Sequence, residues 1–94
     1  MDVVWSRTAL NDLEAIREFI ARDNPAAAAR TRGAILRATG RLADHPSLGR
    51  AGRVAGTREL IVAGAPYIVA YRVADNQVRI IAVIHTSRRW PQRF

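Results

Sequence analysis

Cysteine is missing from the 94-residue chain, which excludes disulfides and thiolate-held metals. Lysine is missing too, so all 15 basic residues are arginine. Histidine occurs twice, at His45 and His85, far apart and with no carboxylate spacing that would join them into a metal site. The longest apolar runs are strand-sized and fall well short of the ~20 residues that cross a bilayer. The opening MDVVWSRTALNDLE is acidic and amphipathic, unlike the basic-then-apolar layout of a signal peptide. Walker loops, dinucleotide fingerprints and nucleophile elbows are all lacking. These absences lead to the expectation of one soluble, cytoplasmic domain over residues 1–94, with no cofactor, no metal and no membrane contact.

What the chain has is a core and a lopsided charge. A hydrophobic content of 49% suits a folded globule. The net charge is +7, unevenly placed. Residues 1–49 hold seven arginines against six acids, whereas residues 50–94 hold eight against two. A preference for arginine in the genome would account for the missing lysine but not for this asymmetry. A balanced first half and a basic second half point to an acidic or polyanionic partner for the second.

Along the chain, Val3-Val4-Trp5 suits an edge strand. Ser6 is a helix cap, and Ala9, Leu13, Ile16 and Ile20 then recur at helical spacing, predicting a helix over roughly Thr8 to Arg22. Asn24-Pro25 starts a second helix, which should run until Pro46 stops it. Its alanines favour an antiparallel helical hairpin. Gly33 and Gly40 within it mark either close backbone contact or a weak helix. Residues 46–57, PSLGRAGRVAGT, read as the longest irregular connection. Its Gly49-Arg50 and Gly52-Arg53 pairs fit either a solvated loop or a loop that grips phosphate.

Three strands follow, Arg58–Ala63, Tyr67–Val73 and Val78–His85, joined by turns too short for crossovers and hence an antiparallel meander. The whole is an α+β fold with the helices on one side of the sheet. If residue 62 faces 67 and 73 faces 78, alternation sorts the strands into two faces. One carries Arg58, Leu60, Val62, Tyr67, Val69, Tyr71, Val73, Val78, Ile80, Ala82 and Ile84 and should meet the helices. The other carries Glu59, Ile61, Ile68, Ala70, Arg72, Arg79, Ile81, Val83 and His85. Arg72 and Arg79 then lie side by side. Two adjacent guanidiniums repel, so Glu59 or an acidic partner should answer them.

His85 ends the last strand, with Arg88 and Arg89 just beyond. Either it is a packed residue with its ring satisfied locally, or it moves a proton on a phosphodiester that the arginines hold. Arg88, Arg89, Trp90, Arg93 and Phe94 interleave guanidiniums with rings. That mixture can stack on bases, dock a protein, or fold back on the sheet.

The series as a whole resembles the RelE/ParE superfamily of bacterial toxins. The resemblance rests on Trp5, Asp12-Leu13, Ile16, Asn24-Pro25 with the alanines after it, Pro46, Gly49-Arg50, Arg58-Glu59-Leu60, Pro66-Tyr67, Tyr71-Arg72-Val73, Ile80 through His85, and Arg88 with Trp90-Pro91. It implies a type II toxin–antitoxin module in which an acidic cognate antitoxin neutralises the toxin by wrapping it in an extended, partly disordered segment. It leaves room for a homodimer. It also implies one of two targets. Members that cleave mRNA on the ribosome carry basic residues on the open sheet face, at positions falling here on Glu59, Ile61 and Ile68, while Arg88 matches a basic residue of their site. A nuclease here would draw on Arg58, Glu59, His85 and Arg88. The last strand, IIAVIH, is closer to the ParE branch, whose members poison DNA gyrase. On that reading Arg50, Arg53, Arg72, Arg79, Arg88, Arg89, Trp90 and Arg93 bind the target or the antitoxin.

Overall fold

Ser6 fixes the start of the first helix and ties it to the sheet. In the computed structural model, which describes residues 1–94, its hydroxyl accepts from the Ala9 N–H at 3.0 Å and donates to the Ile81 carbonyl at 3.0 Å. Its own N–H reaches the Ile80 carbonyl at 3.0 Å. Helix α1 spans Arg7–Ala21. Asn24 caps α2, Pro25–Gly40, by accepting from the Ala27 N–H at 3.0 Å, with Pro25 at the first position, where its missing N–H costs nothing. The helix ends at Gly40 and continues only as a single 3-10 turn, Arg41–Ala43, so it stops short of Pro46. Neither glycine marks an approach to another backbone. A Cβ at Gly40 would meet open space, and one at Gly33 would meet only the Arg37 side chain.

The sheet has five strands: β1 Asp2–Trp5, β2 Arg50–Ala51, β3 Arg58–Ile61, β4 Tyr67–Ala74 and β5 Gln77–His85. Their order is β1-β5-β4-β3-β2. The three-strand meander is present with β1 added parallel to β5, Asp2 opposite Gln77 through Trp5 opposite Ile80. Strand β2 lies inside the stretch expected to be irregular and pairs Arg50 with Glu59 and Ala51 with Arg58. The two glycines that flank it have a steric purpose. A Cβ on Gly49 would sit 2.7 Å from the Tyr71 ring and 2.8 Å from the Glu59 carbonyl oxygen, and one on Gly52 would overlap Thr57. Close approach of the backbone requires glycine at both. The β4–β5 hairpin turns through Asp75 and Asn76, both at positive φ (52° and 58°), the two-residue primed turn that matches strand twist.

One irregularity changes the expected faces. Arg72 is opposite Arg79, as the tight turn requires, but Ala70 is opposite Ala82 and Tyr71 opposite Ile80. Ile81 is therefore an extra residue, a β-bulge, and everything after it turns over. Val83 and His85 move to the helix side, and Ala82 and Ile84 move to the open side, a correction to the simple alternation. The helix side buries Leu60, Val62, Tyr67, Val69, Tyr71, Val78, Ile80 and Val83 against Ala9, Leu13, Ile35 and Leu42. Tyr71, with no exposure, accepts from the Gly49 N–H at 2.8 Å and donates to the Pro46 carbonyl at 2.8 Å. Its hydroxyl thereby pins the α2–β2 connection to the core. No helix is long and apolar enough to cross a membrane.

Candidate binding surface

The open face of the sheet is floored by Ala70, Ala82 and Ile84, with Ile81 and Trp90 packed on them. Trp90 gets there because the chain reverses after β5. The Thr86 N–H donates to the Pro66 carbonyl at 2.9 Å, and the Arg88 N–H to the His85 carbonyl at 3.0 Å. The tail that follows lays its rings back over the sheet, Trp90 and Phe94 meeting edge to face with centroids 6.3 Å apart. Of the readings open for the arginine-rich tail, the intramolecular one describes Trp90.

Beside Trp90 lies a cluster of one buried carboxylate and two guanidiniums. Glu59, only 2% exposed, receives the Arg53 N–H at 2.7 Å on Oε2. Its Oε1 accepts from Arg53 Nε at 3.3 Å, Arg53 Nη2 at 3.2 Å and Arg50 Nη2 at 3.1 Å. Burial pushes this carboxyl upward, but the hydrogen bonds from Arg53 and Arg50 outweigh it and hold Glu59 below the usual glutamate value. Both guanidiniums remain about half exposed, at 54% and 51%. The Arg53 guanidinium also lies over the Trp90 ring, 4.0 Å from its centroid, a cation–π contact worth about 0.5–2 kcal/mol. Opposing it, Trp90 Nε1 is buried without a partner, at a cost of about 1–3 kcal/mol.

Farther along the same face, Arg72 and Arg79 are direct cross-strand neighbours. Asp75, not Glu59, answers this pair, through Arg79 Nη2 at 2.7 Å. Glu59 is committed to Arg50 and Arg53 instead. Arg72, Arg88, Arg89 and Arg93 have no ion pair. Ile61 is 58% exposed at the rim, while Ile68 is buried.

Of the four candidate nuclease residues, His85 and Arg88 line one cleft, while Glu59 and Arg58 lie apart from it and, on opposite faces, from each other. Glu59 is on the open face, opposite Ala70. His85 is opposite Tyr67 on the helix face, its ring edge-on to the Tyr67 ring at 5.2 Å. His85 Nδ1 accepts from the Ser87 N–H at 3.1 Å, which leaves the ring proton on Nε2. Arg58 also points to the helix side, donating to the Gly49 carbonyl at 2.8 Å. Arg88 borders two clefts at the free edge of β5. A cleft of about 650 Å³ lies beneath the tail, between α1, Ala82, Ile84 and Phe94. One of about 400 Å³ holds Phe19, Tyr67 and His85.

Asp12, which entered the sequence reading only in the Asp12-Leu13 pair and without a role, is shared by both clefts. Beyond the end of β1, the outer edge of β5 has no strand partner, and Asp12 Oδ2 accepts from the Val83 N–H there at 3.0 Å. Burial raises its carboxyl above the usual aspartate value, with the Val83 N–H and the nearby Arg88 charge pulling the other way. Its signal in the sequence was slight, a carboxylate set against the stripe residues Ala9, Leu13 and Ile16. Nowhere do three or more histidine or acidic side chains gather as a metal site would need.

Comparison with known proteins agrees with this architecture. The profile of the family described as "ParE toxin of type II toxin-antitoxin system, parDE" matches residues 3–90. Putative toxin Y4kP of Sinorhizobium fredii (strain NBRC 101917 / NGR234) is 43% identical over 88 residues, 94% of this chain and 91% of that one. Toxin RelE2 of Caulobacter vibrioides (strain ATCC 19089 / CIP 103742 / CB 15) is 42% identical over 86 residues, 92% and 96% of the respective chains. A solved structure, the "Chromosomal ParDE TA system from P. aeruginosa", superposes with a TM-score of 0.83 at 25% identity, covering 90% of this chain and 95% of that one. The chain belongs to the ParE toxin family, as the toxin component of a type II toxin–antitoxin system, and so has a cognate antitoxin for a partner.

Proposed function

We propose that the protein arrests growth without cutting RNA, by binding DNA gyrase through the open face of its sheet and the Arg88–Phe94 tail, and that an acidic antitoxin neutralises it. The observation that carries this reading is the separation of the two proton-transfer candidates that the sequence offered. His85 and Glu59 lie on opposite faces of the sheet, and Glu59 is locked by two arginines. General acid–base cleavage by this pair would need both groups within hydrogen-bond reach of one phosphodiester, and their separation argues against it. Ile61 and Ile68 add support, because neither can contact a phosphate or move a proton where ribosome-dependent members carry basic residues.

The unpaired Arg72 and its neighbour Arg79 suit an acidic surface, where desolvated guanidinium–carboxylate contacts give both steering and register. The antitoxin would use the same complementarity, and cytoplasmic residence follows from either target. Purified protein in a gyrase supercoiling assay should inhibit at near-stoichiometric ratio, and Arg72→Ser with Arg79→Ser should weaken that inhibition. Toe-printing on translating ribosomes should give no codon-positioned cuts. Unaffected supercoiling at stoichiometric excess, together with cuts that vanish in His85→Ala, would instead establish the ribosome-dependent endoribonuclease, with His85 and Arg88 in its site.

A further inference from the structure

We propose that residues 86–94 are a displaceable strap over the open face of the sheet, and that Arg53 is the residue that latches it. The inference stands on contacts within the chain and holds whichever target the toxin has. Three observations combine. Only Trp90 of the tail joins the apolar floor of Ala70, Ala82 and Ile84, so beyond the backbone bonds of Thr86 and Arg88 at its root the tail is held to the floor by one side chain. That anchor is clamped from outside by the Arg53 guanidinium, 4.0 Å from the ring centroid. The guanidinium is aimed by Glu59, which holds it through Nε and Nη2 and holds the same residue's backbone N–H besides.

The closed strap is also incompletely satisfied. Trp90 Nε1 is buried with no acceptor, and a cleft of about 650 Å³ remains between the tail and α1. Lifting the tail gives the indole N–H to water and costs mainly the ring's contacts with the floor and with Arg53. Arg50 shares Glu59 but is not the residue stacked on the ring. Neutralising Arg50 or Arg53 therefore removes the same charge from the same cluster, and only Arg53 should loosen the strap.

The test compares Arg53→Gln with Arg50→Gln in the full chain, each first shown to keep the wild-type far-UV circular dichroism spectrum. Limited trypsin digestion followed by mass spectrometry reads cleavage after Arg88 and Arg89, which tracks the population of the open strap when reclosing is fast. Acrylamide quenching of Trp90 fluorescence in a Trp5→Phe background reads the same opening without a protease. Arg53→Gln should raise cleavage after Arg88 and Arg89 about tenfold, equivalent to ~1.4 kcal/mol, and should raise quenching, with Arg50→Gln close to wild type in both. Glu59→Gln, where it folds, should fall between them. Equal cleavage and quenching in the two arginine variants would overturn the latch. So would an Arg53→Gln protein that matches wild type.

Discussion

The two faces of the sheet are closed by different physics. On the helix side, aliphatic groups from α1, α2 and the strands enclose one another, and the Tyr71 hydroxyl buried among them both donates and accepts. On the open side a small alanine–isoleucine floor is covered by a single indole and a carboxylate–guanidinium cluster. The first arrangement is non-directional and resists disturbance in proportion to buried area. The second depends on a few directed contacts and leaves several cations without partners. On the proposed function, the face that keeps its shape and the face that a partner covers lie on opposite sides of one sheet.

The comparison can be broken most directly in the apolar layers. Truncating a buried isoleucine to alanine costs about 2–5 kcal/mol. Ile80→Ala, on the helix side with no exposure, should lie at the upper end. Ile84→Ala, beneath the tail beside the larger cleft, should lie at the lower end, because the tail can settle into the space. Equal losses in urea midpoints would mean the two faces are equally rigid.

Next in size is the open-face cluster. Removing Arg50 or Arg53 alone leaves Glu59 one guanidinium and should cost about 1 kcal/mol. Removing both strands a buried carboxylate and should cost about 3 kcal/mol at neutral pH, more than the sum of the singles. The pH dependence has a definite sign. Glu59 is held below its usual 4.5 in the folded protein, so its stabilisation is complete above that value and is lost as pH falls through the depressed one. In the double variant this acid sensitivity should shrink or reverse, which denaturant titrations from pH 7 downward would read.

Asp12 sharpens the contrast with the opposite sign. Its carboxyl is raised above 3.8 by burial, so the folded protein takes up that proton first and this site gains stability as pH falls through the raised value, levelling off below 3.8. Asp12→Asn keeps an acceptor for the Val83 N–H and should be near neutral at pH 7, with the pH contribution gone. Asp12→Ala orphans that N–H and should cost about 1–3 kcal/mol. The smallest stability effect belongs to Arg72→Ser and Arg79→Ser, within about 0.5 kcal/mol for exposed positions. Their effect should appear instead as weaker, less salt-sensitive binding of an acidic partner.

Helix caps, stripes and turns were legible because each is a local pattern: Ser6 before Ala9 and Leu13, Asn24 before Pro25, Asp75-Asn76 between two apolar runs. So was the pairing of Arg72 with Arg79, which the tight turn dictates. The sequence did not disclose the extra residue at Ile81, since a bulge leaves no mark in a run such as IIAVIH, and that one residue moved His85 and Val83 to the other face. Nor did it show that Glu59 would choose Arg50 and Arg53. That choice depends on the short β2 strand, which Gly49 and Gly52 make room for, and glycine beside arginine reads equally well as an exposed loop. The arginine-rich tail was visible, but its return onto Ala70, Ala82 and Ile84 is a long-range contact with no local signature.

The most direct test of the open face as the working surface is growth after induced expression of two variants in the same strain, Arg72→Ser/Arg79→Ser and His85→Ala, beside the wild type. The predicted result is that His85→Ala still arrests growth while the arginine pair variant no longer does. Full arrest by the arginine variant, together with harmless His85→Ala, would contradict it and move the active surface to the helix side.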